Sequence, residues 1–374
     1  MDAIVPRGMK CGAWAALAMI VAAVGGSARA AGIVVSRSAA PASTLQHVRA
    51  AGVLTCGVDE EEPEYSTSDE HGSREAFDAD LCRAVAAAVL GSRARIRLVS
   101  YPDDRSSMAG LRSGAVEMIP TLTDDFSHAV GTHLQLTSPV LWDGVGFLAS
   151  AGSAVTEARQ LSGKKVCMIA ETNTEESVRS WFEREHLDYV PFPFQEEGEM
   201  EAAFATGNCA ALAGDRTRLA ATGELMGRHG RPARLLSAVI SKDPLAAAVR
   251  QGDRQWAAIV EWVMQALVQA EESGVTQANV DALRAEALRA EGAGDGPASA
   301  SPPDPTLWFL LGGSRQIGSR LGLEDDWVVQ MIAVTGNYGE IYRRDLGSGS
   351  ALHLPRGENR LYGKGGVMLA LPPK

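Results

Sequence analysis

Short apolar runs alternate with helix-spaced patterns along the first third of the chain. TLQHVRAAG (44–52), FDADLCRAVAAAVLG (77–91) and RSSMAGLRSG (105–114) carry apolar residues at helical spacing. VLTCGV (53–58), RIRLVSY (95–101) and VEMIP (116–120) are runs of strand length between them. Strands that alternate with helices predict an α/β unit with a largely parallel sheet. After DGVGFLAS (143–150) the rhythm restarts. KKVCMI, YVPFPF and CAALAGD read as strands, and SVRSWFEREH and EGEMEAAFATG as helices, so a second α/β unit is expected over 151–238.

From residue 239 the chain supplies one more strand, in ISKDPLAAAVRQG, and then the long amphipathic helix QWAAIVEWVMQALVQAEESG. Its Trp256, Ile259, Val260, Val263 and Leu267 fall on one helical stripe, which predicts core and not a cofactor face. Residues 291–305 (EGAGDGPASASPPDP) have the composition of a linker-like insertion. Beyond it, helical patterning returns and gives way to a Gly-rich tail.

The amino terminus has a different pattern. Arg7 and Lys10 precede the fourteen-residue apolar run CGAWAALAMIVAAV (11–24), and Ala28-Arg29-Ala30 follows. A positive start, an apolar centre and a small-x-small end predict a secretory signal over 1–30, cleaved before Ala31. The run is too short to span a bilayer comfortably. Residues 31–43, rich in Ala, Ser and Pro, are expected to form a flexible leader.

Cleavage would remove one acidic and three basic residues and shift the formal net charge from −11 to −13. Such a balance argues against nucleic acid or an anionic membrane surface as partner. Four cysteines would remain, and four allow three pairings. The simplest is local, Cys56–Cys82 and Cys167–Cys209, one bridge per unit. Four buried free thiols are the alternative, less suited to an oxidising compartment. The seven histidines are scattered without ligand spacing, and no zinc motif, nucleophile elbow or phosphate loop occurs. No cofactor and no metal is expected.

Several segments carry a family resemblance. They are AFDADLCRAVAAAVLG (76–91), WDGVGFL (142–148), KKVCMIAETNTEES (164–177), ISKDPLAAAVRQGDRQW (240–256), VTQANVD (275–281), GNYGEIYRRDLGSGS (336–350) and GGVMLALPP (365–373). From Thr44 onward the chain resembles the periplasmic general L-amino-acid-binding proteins of ABC importers, within solute-binding protein family 3. The resemblance implies a periplasmic-binding-protein-like fold of type II, two α/β lobes joined by a two-strand hinge. Lobe 1 would comprise 44–150 plus 239–374, and lobe 2 would comprise 151–238. A monomeric periplasmic receptor is implied, closing on an amino acid and delivering it to a permease of the inner membrane.

In that family an arginine holds the ligand's α-carboxylate as a two-pronged donor, and an aspartate takes its ammonium group. Asp215, ending CAALAGD, stands at the aspartate's place. Thr172 and Asn173, in ETNT (171–174), stand where the family has a threonine-rich turn, and either an anion site or a plain helix cap fits them. TLTDDFSH (121–128) matches the segment that should end in the arginine. Thr123 fits, but the arginine's place falls to His128 or Ala129, and a neutral imidazole offers one donor at most. Upstream, VDEEEPEYSTSDEHG (58–72) replaces a small, Gly-containing segment; Asp59, Glu60, Glu61, Glu62 and Glu64 add negative charge ahead of Tyr65, which is left to cover the ligand.

Two functions are therefore open. One is a receptor for an amino acid or a related amine. The other is a solute-binding fold with an altered or lost pocket acting through protein partners, for example beside a periplasmic quinoprotein dehydrogenase. An enzyme is not expected. Glu175 follows a Thr-Asn turn, as in dehydratases of this superfamily, but ordinary binders carry glutamate there as well.

Overall fold

The computed structural model describes residues 43–59, 74–91, 93, 95–292, 305–313 and 317–373. The expected signal, nearly all of the leader, Tyr65 and most of the 291–305 insertion lie outside the described residues. Lobe 1 begins with α1 (Thr44–Ala51), β1 (Leu54–Asp59), α2 (Arg74–Leu90) and β2 (Ile96–Tyr101). It continues through α3 (Asp104–Ser113), β3 (Ile119–Thr123), α4 (Phe126–Ala129) and β4 (Leu134–Asp143). Strands β1 and β2 pair in parallel. A parallel bridge between Cys56 and Met118 joins β1 to the start of β3.

The second lobe is one five-stranded sheet flanked by helices. It contains β5 (Val145–Ser150), β6 (Lys165–Ile169), α5 (Asn173–Arg184), β7 (Val190–Phe194) and α6 (Glu197–Ala205). Then come β8 (Ala211–Asp215), α7 (Arg216–Arg228) and β9 (Ala233–Leu235), with strand order β7-β6-β8-β5-β9. Strands β6, β7 and β8 run parallel, while β5 is antiparallel to both of its neighbours. Phe147, Trp181 and Phe182 form an aromatic cluster at the centre of this lobe's core.

The chain returns to lobe 1 through β10 (Asp243–Arg250), which inserts antiparallel between β3 and β4. Then follow α8 (Arg254–Glu272), α9 (Val280–Gly292), α10 (Pro305–Leu310), α11 (Ile317–Leu321), α12 (Trp327–Thr335) and α13 (Tyr338–Asp345). The predicted stripe of α8 is buried, with Trp256 only 1% exposed and Ile259, Val260, Val263 and Leu267 fully covered. Each such side chain contributes about 1.5–3 kcal/mol of hydrophobic stabilisation. Trp256 also donates its indole N–H to Glu117 O at 3.0 Å, so its one polar atom is satisfied inside the core. Helix α2 is Ala-rich and buried over most of its surface, which lets α8, α12 and the sheet approach it closely.

Each lobe carries one disulfide. Cys56–Cys82 ties β1 to α2, and Cys167–Cys209 ties β6 to the segment before β8, with Cα separations of 6.4 and 5.8 Å. Closing loops of this length is worth about 3.5–4 kcal/mol each on the chain-entropy account.

The carboxy-terminal segment reaches the junction of the lobes. Arg356 forms a two-pronged pair with Glu271 at 2.7 and 3.1 Å and lies 5.2 Å from the ring centres of both Tyr338 and Tyr342. Asn359 accepts from the Trp142 N–H at 2.7 Å and donates to the Trp142 carbonyl at 2.8 Å, filling the outer edge of β4. Further along that edge, the Ser138 N–H donates to the Glu261 carboxylate at 2.8 Å. Helix α13 is anchored to α2 through Arg344, whose Nε donates to Asp80 at 3.0 Å. Beside this pair Asp345 is fully buried. Burial and the neighbouring Asp80 charge push its carboxyl up to about 8.

Candidate functional site

The chain crosses between the lobes twice. The first crossing passes from β4 to β5 through Gly144, and the second runs from β9 through 236–242 to β10. A Cβ at Gly144 would lie 2.7 Å from Ser241 O and 2.9 Å from Val239 Cγ1, so only glycine lets the two crossings approach this closely. They are cross-tied as well. The Ile240 N–H donates to Val145 O at 2.8 Å, the Val145 N–H donates to Ser241 Oγ at 2.8 Å, and Ser241 Oγ donates to Asp243.

The carboxyl ends of the strands gather at these crossings. In lobe 1, Thr123 at the end of β3 is opposite Leu245 of β10, and the Asp124 N–H donates to Pro244 O at 2.7 Å. In lobe 2, Asp215 at the end of β8 is opposite Val145, the first residue after the crossing. Strand β6 is parallel to β8, so Thr172 and Asn173 follow it on the same sheet edge as Asp215. Open α/β sheets place ligands at such edges. The described residues thus bring Thr123 and His128 to one side of the crossings, and Thr172, Asn173 and Asp215 to the other.

Within TLTDDFSH the side chains divide their roles. Thr121 is buried and donates to Asp78 Oδ1 at 2.7 Å, which commits it to the core face. Asp125 caps α4 by accepting from the His128 N–H at 2.8 Å. The His128 ring meets Asp125 Oδ1 through Nδ1 at 2.9 Å and faces Asp104 Oδ2 through Nε2 at 4.0 Å. The imidazole therefore sits between two carboxylates. Burial and the Asp125 charge raise the Asp124 carboxyl above its ordinary value. Partial burial acts the same way on Asp125, but hydrogen bonds from His128 outweigh it and hold that group below the ordinary range. Phe126, 81% exposed, projects beside them. No lysine or arginine occurs between Arg112 and Arg159, so β3, α4, β4 and β5 offer no cationic fork.

In lobe 2 Thr172 is the N-cap of α5. Its hydroxyl accepts from the Glu175 N–H at 3.4 Å and donates to Ile169 O at 2.9 Å. Glu175 turns back to accept from the Glu171 N–H at 2.8 Å, and Glu171 adopts a left-handed φ of 59°. Thr172 thus caps the helix, while Glu175 reaches one residue further back, to the N–H of Glu171. Asp215 is exposed and occupies the N-cap position of α7, yet its side chain makes no capping bond.

That cap comes instead from a residue the sequence reading passed over. Asp143, the last residue of β4, accepts from Arg216 N at 3.2 Å, from Thr217 N at 3.3 Å and from Thr217 Oγ1 at 2.5 Å. The Asp143-Gly144 pair inside WDGVGFL was its only visible signal. Its partners lie 73 and 74 residues away.

Two α/β lobes on two crossing strands, with polar residues on both facing edges, define the architecture of type II periplasmic binding proteins. Comparison with known proteins gives the family. The chain is 35% identical over 360 residues to the general L-amino acid-binding periplasmic protein AapJ of Rhizobium johnstonii, covering 95% of this chain and 98% of that one. It is 32% identical over 335 residues to the glutamate/glutamine/aspartate/asparagine-binding protein BztA of Rhodobacter capsulatus, covering 89% and 94%. A solved ABC-transporter periplasmic binding protein from Brucella ovis, with glutathione bound, superposes with a TM-score of 0.70 at 33% identity, covering 88% of this chain and 99% of that one. No protein-family model matches the chain. The chain belongs to the amino-acid-binding periplasmic proteins of ABC transporters. These relatives are binding proteins, and no described helix is long and apolar enough to cross a membrane.

Proposed function

We propose that this chain is the periplasmic receptor of an ABC importer and takes an amino acid or a related amine between its lobes. The observation that carries this is the near full-length match to AapJ, in a fold whose polar strand ends line both sides of the crossings. Asp215 is the partner we assign to the ligand ammonium group. Thr123 and His128 would serve from lobe 1 together with Tyr65, and Thr172 and Asn173 from lobe 2. Ligand binding would draw the lobes together, since only a closed cleft allows both edges to touch one small molecule.

The lobe limits that serve this reading differ slightly from 44–150 plus 239–374 and 151–238. Strands β5 and β9 pair within the second sheet, which favours boundaries at Gly144 and within 236–242. Export with cleavage before Ala31, a monomeric state, a permease partner and the absence of catalysis complete the proposal. The Glu171 N–H supports the last point, because it already engages the carboxylate that a dehydratase would use as its acid.

His128 gives the ligand its chemical signature. An imidazole held between Asp104 and Asp125 is a weak substitute for a guanidinium fork, so carboxylate recognition should be looser than in a receptor with the arginine. The test is thermal unfolding of residues 31–374, stripped of carried-over ligand, against the twenty amino acids, polyamines and small organic acids. A ligand at ~100 times its Kd adds about 2.7 kcal/mol of stability, a readily measured shift. A shift confined to a few amino acids or amines supports the receptor. Silence across the panel would sink it and favour a fold acting through protein partners.

A further inference from the structure

The first turn of an α-helix presents backbone N–H groups without partners inside the helix, and an aspartate at the N-cap is a usual solution. Helix α7 has such an aspartate in place. Asp215 stands at the N-cap with extended backbone (φ −63°, ψ 137°), yet its side chain stays out of the cap. Asp143 reaches across from the other side of the first crossing. Its Oδ1 accepts from its own neighbour Gly144 N at 2.9 Å and from Arg216 N, and its Oδ2 takes both the N–H and the hydroxyl of Thr217. Arg216 extends the same unit to the return crossing, donating from Nη1 to Leu236 O at 2.8 Å and to Ala238 O at 3.3 Å.

We propose that Asp143 is a positioning residue: from lobe 1 it caps α7 in place of Asp215 and thereby holds the Asp215 carboxylate at the cleft edge for a ligand ammonium group. The proposal rests on the role assigned to Asp215 above. The geometry explains why two aspartates meet at one helix end. With Asp143 removed, the Arg216 N–H keeps only the Gly144 carbonyl at 3.1 Å and the Thr217 N–H loses its acceptor, and Asp215 is the nearest carboxylate in sequence able to replace it. Turning inward to cap would take Asp215 away from the ligand. Asp143 also belongs to the crossing itself, opposite Asp243 of the return strand.

The experiment compares wild type with Asp143→Ala, Thr217→Val and Thr217→Ser, at a temperature where all four are folded by far-UV circular dichroism. Affinity is read by calorimetry with whichever of the twenty amino acids stabilises the wild type. The Asp215 carboxyl carbon is titrated by NMR in the ligand-free proteins. Asp143→Ala is expected to lose about tenfold or more in affinity, the scale of one net charge-assisted hydrogen bond. Its Asp215 should titrate about one pH unit lower, as that carboxylate takes over the N–H bonds of the cap. Thr217→Ser, which keeps the hydroxyl, should match wild type, and Thr217→Val should fall between. Affinity unchanged in Asp143→Ala while only its thermal midpoint drops would overturn the proposal, and so would lost affinity with the Asp215 titration unmoved. If the wild type binds none of the amino acids, the receptor reading fails by itself. The titration then decides Asp143 alone, with a downward shift supporting the cap exchange and no shift rejecting it.

Discussion

The two lobes place similar residues at their strand ends and use them in opposite ways. In lobe 1 the oxygens of TLTDDFSH are drawn into local structure: Thr121 goes to Asp78, and Asp125 goes to the backbone and ring of His128. In lobe 2 the cap at the end of β8 is supplied by Asp143 from across the crossing, and Asp215 remains exposed. Whether a polar residue at a strand end is drawn into a cap thus depends on whether another residue already fills that cap. Residue type alone does not decide it.

The largest expected effect that tests this contrast is in lobe 2. Asp215→Ala should weaken binding of the cognate amino acid about 100-fold, the loss of a charge-assisted contact to its ammonium group, with an almost unchanged unfolding midpoint. Calorimetry and a thermal melt on the same preparation check both halves. Retained affinity would remove Asp215 from the site.

Next comes pH, which acts on lobe 1 through Asp345. Its carboxyl is raised from an ordinary 3.8 to about 8 in the folded protein. The native state therefore binds the extra proton between those values, and stability is highest below about pH 4 as far as this group is concerned. That contribution declines as pH rises and is lost by about pH 8. Urea midpoints at about pH 5 and about pH 8 should differ in wild type, and Asp345→Asn should reduce the difference.

Smaller still is a pair that separates the two kinds of threonine. Thr121→Val should cost about 1–3 kcal/mol of stability, because it removes a buried hydrogen bond, and leave affinity intact. Thr123→Val should do the reverse. Last, Thr172→Ala should lose about 1 kcal/mol as the cap of α5 is removed, seen as a lowered thermal midpoint. Its affinity should fall as well if Thr172 serves the ligand beside the cap, and unchanged affinity would leave it a cap alone.

Much of the fold was legible because it depends on local period. The alternating runs of lobe 1, the restart near 151 and the stripe from Trp256 to Leu267 each follow from spacing along a few turns or one strand. The disulfides were legible for the same reason, since each joins a strand to a segment close by in sequence. At the candidate site, Asp215 and Thr123 could be placed at strand ends with the help of the family resemblance, while their roles belong to the proposal. The Asp143 cap could not, because it requires knowing that Val145 of β5 pairs with Asp215 of β8 in an antiparallel register. The approach of Arg356 to the rings of Tyr338 and Tyr342 was hidden likewise, since its pairing with Glu271 spans 85 residues. The question raised by His128 is sharpened by the structure, which sets its ring between Asp104 and Asp125.

The amide of Asn359 carries a last consequence. Strand β4 lies at the outside of its sheet, and an outer strand offers a row of backbone groups on which another chain can template itself. Asn359 engages both the N–H and the carbonyl of Trp142, and Glu261 engages the N–H of Ser138. At these positions the carboxy-terminal segment and α8 act as a selvedge that stops the sheet from continuing into a second molecule. Asn359→Ala would therefore be expected to show itself less in the folded monomer than in the concentration at which the protein begins to self-associate.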